Sequence, residues 1–322
     1  MRQPSRFAPV LALAFALAFA ARVAVAQAPP AWAYPITPPA AAGAPAPDAA
    51  SKLQLPGSRQ QFTRAQLADL YSAPDWYPES RAPMPPLVAK GRKPDVYACG
   101  YCHTPGGQGR PENTSLAGLS ADYMLFQLAD YASGARRNAM PGTFQPTDLM
   151  IRIAQHLKEG EATAAVEYFE KQKLRPRVTV KEQAQVPRSH IAGWMYVAEP
   201  GNAQEALGQR LMEFAPDPKR HELRDERLRY VAYVPPGSIA RGKALASTGA
   251  TACQTCHGPK LQGIGMTPPL AGRMPGYLLR QLLAFKSGTR RGGTGLPMLA
   301  VTAQLDLPKM IDAVAYAASL PP

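Results

Sequence analysis

Two pentapeptides can do chemistry that the rest of the chain cannot. Cys99-Gly100-Tyr101-Cys102-His103 and Cys253-Gln254-Thr255-Cys256-His257 lie 154 positions apart and hold all four cysteines of the 322-residue chain. Cys-x-x-Cys-His is the spacing at which two thiols add across the two vinyl groups of one haem, with the next residue placed to bind the iron from the proximal side. Other chemistries suit the pattern less well. A four-cysteine zinc site brings its two pairs within roughly 15 to 20 residues of each other. A thioredoxin-like dithiol, which Cys-Gly-Tyr-Cys resembles, has no need of a His after the second Cys. A disulfide between such near neighbours closes too short a loop to stabilise much. The pattern therefore points to two covalently bound haem c groups, held through Cys99, Cys102, Cys253 and Cys256, with His103 and His257 on the two irons.

A six-coordinate iron needs a second axial ligand, and a Met thioether there raises the potential. Met140, in Ala139-Met140-Pro141-Gly142, lies 37 residues past His103, and Met298, in Leu296-Pro297-Met298, lies 41 past His257. Each is expected in a loop after a capped helix, so the pair is taken as the sixth ligands, against the common use of Met as core filler. A small insertion near Gly292–Gly295 would account for the unequal spacing. Met150, Met266 and Met274 are weaker candidates. His156, His190 and His221 have no counterpart in the other half and read as surface or helix residues.

The elements that position these groups repeat. At the offset of 154, Leu116-Ala117-Gly118 falls on Leu270-Ala271-Gly272, Tyr123 on Tyr277, Gln127-Leu128 on Gln281-Leu282, Ser133-Gly134 on Ser287-Gly288 and Arg136-Arg137 on Arg290-Arg291. This is an internal duplication of a small haem domain. A helix is expected to lead into each motif, capped by Ser238 in the second copy. Tyr123–Ser133 and Tyr277–Ser287 carry apolar residues at helical spacing and end at Gly134 and Gly288. The paired arginines that follow read first as solvated complements to the helix dipole, and second as contacts to haem propionates or an acidic partner. In the last helix, Ala165-Val166 and Tyr168 match Ala313-Val314 and Tyr316 at an offset of 148. That shift is assigned to extra residues around Ile151–Leu157.

Residues 1–26 read as a signal peptide, with Arg2 and Arg6, the apolar run Val10–Ala21 and the small-x-small site Ala24-Val25-Ala26. Export to the periplasm is the expected localisation. Residues 27–53 form a Pro/Ala-rich linker expected to contribute nothing to a core, and 54–94 an N-terminal arm. Haem domains follow at 95–174 and 237–322, separated by an insertion, 175–236. There Val178 and Val180 alternate, Ile191–Val197 and Tyr230–Val234 look β-like, and Asp217–Arg229 is charged enough to be solvated. The formal charge of +13 falls to +10 without the signal's Arg2, Arg6 and Arg22. It suits an acidic redox protein or an anionic membrane surface, and nothing suggests nucleic-acid binding.

The order Cys-x-x-Cys-His, Leu-Ala-Gly, Tyr-x-x-x-Gln-Leu, Gly-x-Arg and then Met resembles the tandem diheme class I cytochromes c of the c-four type, over about residues 91–174 and 237–320. The resemblance implies a mainly α fold of two class I cytochrome c domains, here with a short irregular or β-containing segment between them. It implies haems facing a pseudo-twofold interface, and the axial pairs His103/Met140 and His257/Met298. Two departures stand out. Thr114 occupies the place of Pro268 in Pro-x-Leu-Ala-Gly, and the family has no insertion like 175–236. With both irons capped, the expected function is single-electron transfer between redox partners such as a dehydrogenase, an oxidase or a small carrier, without catalysis. The alternative is a diheme peroxidase with one open iron.

Overall fold

The computed structural model describes residues 28–38, 48–140 and 144–322. The signal-peptide reading and part of the linker fall outside them. Each haem motif forms a short helix of its own, Cys99–His103 and Gln254–His257. Behind each lies a 12-residue helix, Ala121–Ala132 and Pro275–Lys286. The first is capped by the Ser120 hydroxyl, which accepts from the Tyr123 amide. Both end two residues before a glycine in the left-handed conformation, Gly134 at φ 72° and Gly288 at φ 71°, as expected of a helix stop. Third and fourth helices complete each half: Gln145–His156 with Thr163–Glu170, and Leu296–Ala303 with Leu307–Ser319.

The leading helix exists only in the second half, at Ser238–Ser247, where Ser238 is its first turn and Gly237 the capping position. It lies against the terminal helix so closely that a Cβ on Gly242 would sit 1.9 Å from the Asp312 carbonyl oxygen. Arg241 clasps the Asp312 carboxylate at 2.8 and 2.9 Å over this crossing. In the first half the described residues before the motif make only short elements, including the helices Arg64–Ala68 and Pro86–Ala89.

The insertion is larger in structure than the sequence patterns suggested. It forms a five-stranded mixed sheet in the order 178–182, 230–234, 212–214, 195–198, 189–192. Val178 pairs with Tyr230 in parallel, and Met212 with Tyr233 antiparallel. The run Ile191–Val197 is not one strand. It folds back at Gly193 and Trp194, both with positive φ (57° and 66°), the geometry that matches strand twist in a two-residue hairpin. The molecule is thus mainly helical with a substantial sheet.

Two further expectations fail for the same reason, which is that local composition does not report what a segment packs on. The linker reading fails over 28–38. Tyr34 is buried against Phe144 with ring centroids 5.5 Å apart, and the Trp32 carbonyl accepts from the Tyr196 hydroxyl at 2.8 Å. Two large aromatics gain more from burial than the Ala/Pro background loses. The charged run 217–229 is solvated only in part: Lys219, Glu222, Arg227 and Arg229 are exposed, but His221, Asp225 and Glu226 are buried. Each has partners that offset the cost of burying a polar or charged group.

Candidate functional site

His103 and His257 are held in the same way. The Nδ1 of His103 lies 2.8 Å from the carbonyl oxygen of Thr114, and the Nδ1 of His257 lies 2.8 Å from that of Pro268. A carbonyl only accepts, so each Nδ1 carries the proton and each Nε2 keeps its lone pair for a metal. Burial lowers the pKa of both imidazoles, outweighing those bonds, which favours the neutral, ligating form. The contact uses a backbone carbonyl, so Thr114 serves as well as Pro268, and that departure leaves the first His as firmly oriented as the second.

The four thiols are not joined in disulfides. Burial pushes the Cys99 thiol up to about 12 and raises Cys102 and Cys253 as well. A redox dithiol needs the opposite shift. Among the described residues no group of three or more His, Cys, Asp or Glu side chains gathers as a metal site, so the two Cys pairs do not converge.

Cys99, Cys102 and His103 open onto a cleft whose apolar wall includes Leu116, Leu128, Ile153 and Val166, with about 1210 Å³ of atom-free space, mouth included. Arg136 Nε and Asn138 Nδ2 also belong to residues lining it, and both are buried without a hydrogen-bond partner. Two unsatisfied donors beside an apolar slot, with two thiols and an imidazole at its edge, fit a haem and its propionate carboxylates.

The structure separates the two expected methionines. Met298 lies in the helix Leu296–Ala303. Met140 packs against the second half's core, beside Phe144, and is not among the residues lining the first cleft, whereas Met150 is. Met150 also stands 148 positions before Met298. That is the offset relating Tyr168 to Tyr316, and Leu157 to Leu305. The extra residues of the first half therefore lie between Arg137 and Met150, not around Ile151–Leu157. The uniform offset was legible in the sequence and was obscured by pairing Met140 with Met298.

Of the paired arginines that read as solvated, Arg137 and Arg291 are exposed, and Arg136 and Arg290 are not. Arg136 is 4% exposed and Arg290 7%, and they form a crossed network between the halves. Arg136 donates to Gln127 Oε1 at 2.7 Å, to the Tyr277 hydroxyl at 2.8 Å and to Gln281 Oε1 at 3.0 Å. Arg290 donates to Gln281 at 2.9 Å, to the Tyr123 hydroxyl at 3.1 Å and to Gln127 at 2.8 Å. Each guanidinium stacks on an aromatic of its own half, Arg136 on Tyr131 and Arg290 on Phe285. The backbones join too: Arg137 N donates to Thr289 O at 2.9 Å, and Arg291 N to Ala135 O at 2.7 Å. Every partner has its counterpart 154 positions away. Burial would raise the Tyr277 phenol, but Arg136 and Arg290 more than offset it and hold its pKa at about 8. Arg273 adds a contact outside this symmetry, donating to Ser115 O and Oγ at 2.8 Å each.

His221, read as a surface or helix residue, lies in the short helix Pro218–Glu222 and is buried against the sheet region. It meets the Tyr230 hydroxyl at 3.0 Å, Gly193 O at 3.0 Å and the Arg110 guanidinium at 2.8 Å. Burial, with Arg110 next, lowers its pKa to about 4. Sequence periodicity gave no signal for it, because its partners come from three separate segments.

A family model described as cytochrome c matches residues 239–316. A thiosulfate dehydrogenase electron acceptor of Thiomonas intermedia (strain K12) is 29% identical over 62% of this chain and 67% of its own length. Cytochrome c-554(547) of Halothiobacillus neapolitanus is 41% identical over 21% of this chain and 75% of its own length. A solved cytochrome c4 from Acidithiobacillus ferrooxidans aligns with a TM-score of 0.45 at 26% identity, covering 69% of this chain and 98% of that one. With two oriented histidines, two thiol pairs at haem spacing and 41% identity over three quarters of cytochrome c-554(547), the chain belongs to the cytochrome c family, as a diheme member that carries covalently bound haem c and transfers electrons between redox partners.

Proposed function

We propose that this cytochrome arose by duplication of one haem domain and works in the periplasm as the electron acceptor of a dehydrogenase. Two relatives are named for accepting electrons from thiosulfate dehydrogenase, which makes that enzyme the first partner to try. Cys99 and Cys102 would hold one haem and Cys253 and Cys256 the other, with His103 and His257 as iron ligands. Met298 would serve as the further ligand at the second haem, and Met150, in place of Met140, at the first. Bound haem supplies one reversible electron per site. The chain's own residues orient the imidazoles, exclude water with the apolar wall and offer Arg136 and Asn138 to the propionates. The matched His103–Thr114 and His257–Pro268 contacts carry this reading, since they present the Nε2 of both histidines to an iron in the same way. The basic charge favours an acidic partner, and an anionic membrane surface is a second place for it to bind.

The test is the spectrum of the dithionite-reduced protein with and without carbon monoxide. No change supports two capped irons. A shift in the native protein would mean an open iron and overturn the double capping. With Met150→Ala, a shift at one haem is expected, while Met140→Ala leaves the spectrum alone. The reverse pattern would restore Met140 as the ligand.

A further inference from the structure

The loop that follows each haem motif has the same layout and opposite exposure. In the first copy, Tyr101, Arg110, Pro111 and Glu112 are buried; their counterparts in the second, Thr255, Ile264, Gly265 and Met266, are exposed. Cys256 is exposed where Cys102 is not. What covers the first loop belongs to the chain itself. From the arm, Leu67 O accepts from the Tyr101 hydroxyl at 3.1 Å, and Leu70 O from the Ala98 amide at 3.0 Å. From the insertion, Arg224 lies 3.7 Å from the Tyr101 ring centroid, and Glu226 Oε2 accepts from the Gly106 amide at 2.8 Å. Arm and insertion lock to each other: the Trp76 indole donates to Leu223 O at 2.6 Å, the Tyr77 hydroxyl to Asp225 at 3.2 Å, and Arg81 pairs with Glu226.

We infer that the exposed loop face of the second motif, formed by Thr255, Cys256, Lys260, Ile264 and Met266, is the port where this cytochrome docks an acidic redox protein, while the equivalent face of the first motif is closed by the chain's own arm and insertion. The inference rests on the electron-carrier reading above. Ile264 is 57% exposed and Met266 36%, beside a cysteine whose thioether would mark the haem edge. Exposed apolar residues with a polar rim are the anatomy of a transient interface. The occupant's sign follows from charge. Of the nine Lys and Arg from residue 237 on, Arg273, Arg280 and Arg290 are buried, and Arg241 and Lys309 pair with the segment's two acids, Asp312 and Asp306, which leaves Lys243, Lys260, Lys286 and Arg291 exposed with no acid among the described residues paired to them. Lys260 stands exposed in the port loop. A second copy of this basic chain is the wrong sign for the face, and an acidic protein is the right one.

The haem-loaded protein is mixed in a stopped-flow instrument with reduced soluble cytochrome b5, an acidic protein probe, across a salt series. Ile264→Asp and Lys260→Glu, both exposed, are each expected to cut the second-order rate about tenfold at low salt, with the gap closing as salt rises. Arg188→Glu, on the insertion, is expected to leave it unchanged. Equal rates in wild type and both port variants would overturn the port. So would equal slowing by Arg188→Glu, or a dimer in solution that Ile264→Asp dissociates. Reduction by dithionite separates the two readings: a protein that dithionite reduces but whose port variants behave as wild type loses the port alone, whereas one lacking a haem spectrum loses the carrier reading.

Discussion

The two haem-motif regions share a layout and differ in what lies on top of them. Around Cys99–His103 the arm and the sheet insertion cover the motif helix, and charged residues such as Arg110 and Glu112 are paired beneath that cover at 3.0 Å. Around Gln254–His257 the same positions hold Ile264 and Met266, open to solvent. The internal orientation of the histidines is nevertheless the same, 2.8 Å to a carbonyl eleven residues on in both cases. The difference teaches that one scaffold can keep its metal chemistry fixed while its surroundings are reassigned. The parts that touch the iron are set by short-range spacing. The outer shell is free to serve as wall or as doorway.

The comparison can be broken or sharpened by measurement, and the largest effect is expected at the methionines. If the halves are equivalent at the iron, Met150→Ala and Met298→Ala should each lower the midpoint potential of one haem and admit carbon monoxide to it, because a thioether raises the potential and fills the site. Potentiometric titration checks this, and a shift with Met140→Ala instead would break the equivalence. Next comes the cover. Trp76 is almost fully buried, and Trp76→Ala should cost about 3–5 kcal/mol in chemical unfolding. It should also speed digestion of the arm by a protease while leaving the second motif protected as before. Equal destabilisation of both motif regions would show that the cover is not specific to the first.

The crossed arginine network should respond less. Arg136→Met leaves Gln127, Gln281 and the Tyr277 hydroxyl short of donors, and lost bonds to a charged group typically cost about 1.5–3 kcal/mol. Arg290→Met should cost a similar amount if the symmetry is energetic as well as geometric. The smallest effect is expected from pH. Burial pushes Glu213 up to about 7, against the lowering effects of Arg280 and the Gly276 amide. Between about 4.5 and 7 the folded protein therefore holds a proton that the unfolded chain has lost. Glu213's contribution is fully present below the unfolded value and fades as pH rises through 7. Glu213→Gln should flatten that part of a melting-temperature series against pH. An unchanged slope would sever the link to Glu213.

Much of the site was readable from spacing. The thiols, the histidines, the helices ended by Gly134 and Gly288 and the 154-residue offset are local patterns, and local patterns survive in sequence. What was not readable depends on contacts between distant segments. Arg136 and Arg290 carry no sign of burial, because their acceptors Tyr277 and Tyr123 lie in the opposite half. The sheet was under-read because its strands are short and two of its neighbour pairings are parallel, with partners distant in the chain. Trp32 and Tyr34 were absorbed into the composition around them. Met150, which lines the first cleft, was passed over because a loop insertion was placed after it instead of before.

The cover over the first motif also sets an order of events during biogenesis. Thioether bonds form only while the thiols can be reached, and Cys102 ends up packed with Leu70 beneath the arm. The arm closes fully only when Trp76 meets the Leu223 carbonyl, and Leu223 emerges long after Cys102 when the chain is made from its amino end. Once the insertion has arrived, haem can reach the first motif's thiols only through the cleft that Cys99 and Cys102 line. Cys256, exposed to the end, has no such restriction. A maturation defect should accordingly leave more molecules loaded at the second motif than at the first.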